Sequence, residues 1–86
     1  PEDLKGVKFV LKQLFIQGTT IYDKKAFKHL YNNYLKKELT LKDIYEIAQS
    51  ITNKYRNDGY ILSKAIVPPQ KINNGVVHLR IIEGYI

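Results

Sequence analysis

Apolar positions repeat every second residue near both ends of the chain and every three to four residues in the middle. Residues 1–6 read as a lead-in. Residues 7–16 then predict a first strand. Val7, Phe9 and Leu11 share one face by the two-residue period. Leu14 and Ile16 fall on the opposite phase, which predicts a bulge or a strand end buried on both sides. Gly18 breaks the run.

Phe27, Leu30, Tyr31 and Tyr34 then stand at helical spacing and predict a helix over 24–34. Asp23 is its N-cap, and Tyr22 and Phe27 have the spacing of a hydrophobic staple. A second helix is predicted over 41–57, with Ile44, Ile47, Ala48, Ile51 and Tyr55 as its buried stripe. Thr40 with Asp43 forms a capping box, with Asp in place of the usual Glu. Gly59 supplies the left-handed cap that ends the helix.

Residues 60–67 alternate again and predict a second strand. Ile61, Ser63, Ala65 and Val67 form the smaller, uncharged set, assigned to the helix side. Pro68-Pro69 ends regular pairing, because proline donates no ladder bond. Asn74-Gly75 signals a tight turn. A third strand follows over 76–82, with Val77, Leu79 and Ile81 inward and His78 and Arg80 outward. A strand polar on one face implies a sheet covered on one side only.

The predicted fold is therefore α+β, in the order β-α-α-β-β. An antiparallel helix pair returns the chain to the end of the sheet where the first strand finished. The second strand then runs opposite to the first, and the third parallel to it. The expected sheet is mixed and three-stranded, in the order first-third-second, with both helices on one face. The second strand is thus an edge, with unpaired backbone groups. Lys64 and Pro68-Pro69 are features that blunt edges. The alternative is a rail on which an extended peptide adds a strand.

Eighty-six residues make one domain around one modest core. Without methionine, the chain is expected to be a piece of a longer protein. Cysteine is absent, which removes disulfides, thiolate metal sites and cysteine nucleophiles. The net charge is +6, from twelve lysines and only Arg56 and Arg80 among the cations. Attraction to an acidic partner is one reading. A solvated surface in a lysine-rich proteome is the other. The scattered lysines and scarce arginine forks favour the second. No nucleophile-base pair, carboxylate pair, phosphate loop or metal-ligand spacing is present, so neither an enzyme nor a cofactor is expected.

Several segments carry a family resemblance: Ile16-Gln17-Gly18-Thr19-Thr20, Tyr34-Leu35 before Leu39-Thr40, Tyr55-Arg56-Asn57-Asp58-Gly59-Tyr60, Pro68-Pro69-Gln70, Asn74-Gly75 and Glu83-Gly84-Tyr85-Ile86. In this order and spacing the chain resembles a POTRA (polypeptide-transport-associated) domain over nearly its whole length. In particular it resembles the type found in the hemolysin-activator-like (ShlB-type) transporters of two-partner secretion. The resemblance implies a single periplasmic domain over 1–86, continuing into a second such domain and an outer-membrane β-barrel. It implies capture of a secreted client polypeptide and its guidance to the pore.

The expected client surface joins the edge of the second strand to the groove beside the second helix. It comprises Tyr60, Ile61, Leu62, Ser63, Lys64, Ala65, Ile66 and Val67, with Ile44 and Ile51. A nucleic-acid-binding α+β module and a structural spacer between domains are the alternatives.

Overall fold

A computed structural model describes residues 8–84 of the chain. The 1–6 lead-in, Val7 and Tyr85-Ile86 lie outside the described residues. The elements are β1 (Phe9–Val10), β2 (Gln13–Gln17), α1 (Lys28–Tyr31), β3 (Glu38–Leu39), α2 (Leu41–Asn57), β4 (Lys64–Ile66) and β5 (Val76–Ile82). In the main sheet β5 is central, parallel to β2 and antiparallel to β4. These are the first, third and second predicted strands in the expected mixed order. Leu14, Ile16, Val77, Leu79 and Ile81 point to the core, where they meet Ile44, Ile47, Ile51 and Tyr55 of α2. The opposite face is open. There Phe15 stacks on His78 with ring centroids 5.3 Å apart.

The first predicted strand is broken in two. Lys12 and Gln13 both donate their N–H groups to the Gly75 carbonyl, at 2.9 and 3.2 Å. Two residues thus oppose one, the count of a bulge, and this carries Leu11 and Leu14 into the same core despite their opposite phases. Ahead of the break, β1 pairs antiparallel with β3 in a separate small ladder, which the sequence pattern does not reveal.

The helical cover also differs from the expected pair of regular helices. Over 24–34 the chain forms a 3-10 turn (Lys24–Phe27), one turn of α1 and a second 3-10 turn (Asn32–Tyr34). Asp23 caps this segment by accepting the Lys25 N–H, as expected. The segment lacks acidic residues in its first turn and carries Asn32-Asn33 near its end, so its local helical preference is weak. The fully buried Phe27 anchors it through ring contacts with Tyr22 and Tyr55. The second helix, α2, keeps its expected limits and capping box.

The second predicted strand is shorter than its alternation suggests, covering Lys64–Ile66 instead of 60–67. The cause is the end of α2. Tyr60 N–H donates to Tyr55 O at 2.8 Å, and Gly59 N–H to Arg56 O at 3.1 Å, with Gly59 at φ 94°. This is a Schellman cap, and it includes the Tyr55–Tyr60 side-chain contact that accompanies such caps. A turn closed by Ser63 N–H on Tyr60 O follows at once. Residues 58–63 are therefore used in leaving the helix.

At the far end, Asn74 and Gly75 both take positive φ, as a type I′ turn requires. A side chain at Gly75 would place its Cβ 2.2 Å from Val10 O. Glycine is needed there for close approach as well as for φ.

Candidate functional site

On the flank of β4 that faces away from β5, the outward N–H is satisfied from α2. Ala65 N–H points outward and donates to Thr52 Oγ1 at 2.9 Å, while that hydroxyl donates to Ala48 O within α2. Ser63 N–H is held by Tyr60 O, while on the β5 side the Ser63 hydroxyl accepts the Gly84 N–H. The helix thus blunts the edge that the sequence left bare. Ile44 and Ile51 are 0% exposed. They are core residues, and the expectation that they touch a client is corrected. Ile61, assigned to the helix side, is 60% exposed, and Leu62 is 53% exposed. Both sit on the turn after the helix cap, where the two-residue alternation does not apply. Tyr60, Ile61 and Leu62 therefore form an exposed apolar tip, with Leu62 packed beside Gly84. Lys64 is exposed on β4, while Ala65, Ile66 and Val67 are half-buried.

A concave surface opens just beyond β4. It is a groove of about 550 Å³ between two walls. Phe9 of β1 and Leu41 and Tyr45 of the first turns of α2 form one wall; residues 67–73 form the other. Of the expected client surface, only Val67 reaches it. Tyr45 is 55% exposed, a large aromatic side chain presented to solvent at the rim. Leu41 stands three residues before Ile44 and packs against the core, whereas Tyr45, four residues further on, lies off that stripe. An aromatic residue off the apolar stripe of α2 was the signal available in the sequence. Phe9 and Ile72 gave none, because the bulge and the irregular loop that place them are not periodic. Within the loop, Gln70 reaches back to β5: its Oε1 accepts the His78 N–H and its Nε2 donates to His78 O, both at 2.8 Å.

At the opposite end of the sheet, Glu83 gathers donors from two segments, the loop after β2 and α2. Thr20 N–H and Ile21 N–H reach its carboxylate at 2.9 and 3.0 Å, and the Tyr55 hydroxyl at 2.7 Å. The Thr20 hydroxyl also donates to it. Desolvation pushes this carboxyl up, but the bonds from the Thr20 hydroxyl, the Ile21 N–H and the Tyr55 hydroxyl outweigh it and hold the group at about 2. Burial pushes the Tyr55 hydroxyl well above the usual phenol range, and hydrogen bonding to Glu83 adds to the shift. Nearby, the Tyr22 hydroxyl donates to Asp58. The sequence motifs around Gly18-Thr19-Thr20, Tyr55 and Glu83-Gly84 thus meet in one structural latch.

Among the described residues, no group of His, Asp and Glu is arranged to hold a metal ion, and no helix is long and apolar enough to cross a membrane.

The sequence profile of the POTRA domain, ShlB-type, matches residues 9–84. The heme/hemopexin transporter protein HuxB of Haemophilus influenzae is 37% identical over 84 residues, covering 93% of this chain and 14% of that protein. The outer membrane transporter CdiB of Dickeya dadantii is 30% identical over 81 residues, covering 94% of this chain and 14% of that protein. The chain therefore spans about one-seventh of the length of these relatives. CdiB from Escherichia coli has the same fold, with a TM-score of 0.84 at 24% identity over 92% of this chain and 15% of the other. The POTRA1-2 segment of Omp85 from Anabaena superposes with a TM-score of 0.75 at 29% identity, over 90% of this chain and 49% of the other. The profile spans nearly all of the described chain and a relative is 37% identical over 93% of it, so the chain belongs to the ShlB-type POTRA domain family.

Proposed function

We propose that residues 1–86 form a periplasmic domain of an outer-membrane transporter that binds a secreted polypeptide and guides it to a β-barrel pore in the same protein. Membership of the ShlB-type POTRA family supports the transport role. The observation that carries the binding site is the groove between Phe9, Leu41 and Tyr45 and residues 67–73. It is apolar at its walls and open at its rim, a shape suited to an extended chain with bulky side chains. Lys71 lines it, and the chain carries +6 overall, so the favoured client segment is apolar with acidic neighbours. This is a binding role, with no reaction assigned to the chain.

The exposed Ile61 and Leu62 beside Gly84 are proposed to face the neighbouring domain of the same protein. A second reading keeps strand addition at Lys64–Ile66, favoured by the position of β4 at the edge of the sheet. An incoming strand there must first displace Thr52 from the Ala65 N–H. The two readings separate on one double test. Tyr45→Ala weakens client binding if the groove is used. Thr52→Val strengthens it if the β4 edge is used, because it releases the outward N–H. Unchanged affinity in Tyr45→Ala would overturn the groove as the site.

A further inference from the structure

The flank of β5 next to β4 is completed in an unusual way. Ile82 and Arg80 are matched by Lys64 and Ile66 of β4. By the two-residue alternation, His78 and Val76 come next on the same flank. Val76 donates its N–H to Asn73 O at the turn. His78 has no strand opposite it, because the chain beyond β4 runs into Pro68-Pro69, which have no N–H to give. The side chain of Gln70 takes that place. Its Oε1 accepts the His78 N–H; its Nε2 donates to His78 O at 2.8 Å and to Pro68 O at 3.1 Å.

We infer that Gln70 is the positioning residue of the groove: its amide is a side-chain rung of the sheet, and through it β5 fixes the wall formed by residues 67–73. A primary amide suits this task because it offers one acceptor and two donors, and all three are used here. A carboxylate would set an oxygen against two carbonyl oxygens. An aliphatic side chain would leave the His78 N–H and C=O without partners. Asparagine is one methylene short. Client binding at this wall rests on the function proposed above; the rung itself does not.

The test compares the wild-type chain with Gln70→Ala and Gln70→Glu by amide hydrogen exchange and by backbone NMR, with Leu79 and Ile81 as internal controls. The expected result is that exchange at His78 speeds up about tenfold or more in both variants, while Leu79 and Ile81 keep their rates. The amide resonances of Lys71, Ile72 and Asn73 shift in the same two variants as the wall loses its tether. Unchanged exchange at His78 would overturn the rung. Faster exchange at His78 with Lys71–Asn73 unmoved would overturn the positioning role, since the prolines alone would then hold the wall. Indole is the probe for the groove. If it fails to shift groove residues of the wild-type chain, the groove reading is what falls, and the exchange and wall resonances still decide the role of Gln70.

Discussion

The two ends of the sheet are built on different principles. At the Glu83 end, one carboxylate collects donors from the loop after β2 and from α2, while Tyr22 meets Asp58 alongside it. At the groove end the walls are apolar, and the loop over 67–73 is joined to β5 by the Gln70 amide at His78 and by the Val76 N–H on Asn73 O. The first end joins chain segments that are far apart in sequence, so losing its central group disturbs several of them together. The second presents surface at Tyr45, which is 55% exposed, while Phe9, Leu41, Val67 and Ile72 are half-buried against the core. The motifs around Gly18, Tyr55 and Glu83 belong to the latch, whereas the groove takes Pro68-Pro69-Gln70 from a motif and Phe9, Leu41, Tyr45 and Ile72 from outside any.

Substitutions can break this contrast, beginning with the largest effect. Gly18→Ala places a Cβ 2.3 Å from Ile81 O at a φ of 93°, beside the latch. It is expected to cost about 3 kcal/mol or more in urea unfolding. Glu83→Gln sets an amide nitrogen among donors and is expected to cost about 2 kcal/mol. The same residue sets a pH dependence. Its folded value, about 2, lies below the ordinary 4.5, so its contribution is complete above about pH 4.5 and is lost as pH falls toward 2. The stability gap between wild type and Glu83→Gln should therefore narrow across that window. A constant gap would contradict the latch as described.

Thr52→Val removes the acceptor of the Ala65 N–H and is expected to cost about 1 kcal/mol. Tyr45→Ala, at an exposed rim position, is expected to change stability by less than about 0.5 kcal/mol. It should nonetheless be the variant in this series that lowers client affinity most. A large stability loss in Tyr45→Ala, or none in Glu83→Gln, would erase the distinction between the two ends.

Much of this architecture was legible in the sequence. The α2 stripe from Ile44 to Tyr55 and the alternation of Val77, Leu79 and Ile81 are strong periodic signals, and both elements lie where those signals put them. The phase change between Leu11 and Leu14 marked the bulge. The candidate site was less legible, for a physical reason. Tyr60, Ile61 and Leu62 alternate like a strand, yet Gly59 allows a Schellman cap whose hydrogen bonds use the same residues. The partner of the outward β4 N–H is Thr52, which looks in sequence like any other polar residue of a helix. The pairing of β1 with β3 involves two residues from each strand, too few for periodicity to register. Gln70 was visible only as part of a motif. Its role as a rung depends on where His78 lies in space.

The most direct measurement is an NMR titration of the isotope-labelled chain with the unfolded N-terminal region of the secreted polypeptide that its transporter carries. The account predicts that the amides of Phe9, Leu41, Tyr45 and Ile72 shift together as the client is added, with those of Thr20, Ile21 and Glu83 unmoved. Shifts confined to Ser63–Ile66, with Tyr45 and Ile72 silent, would contradict it.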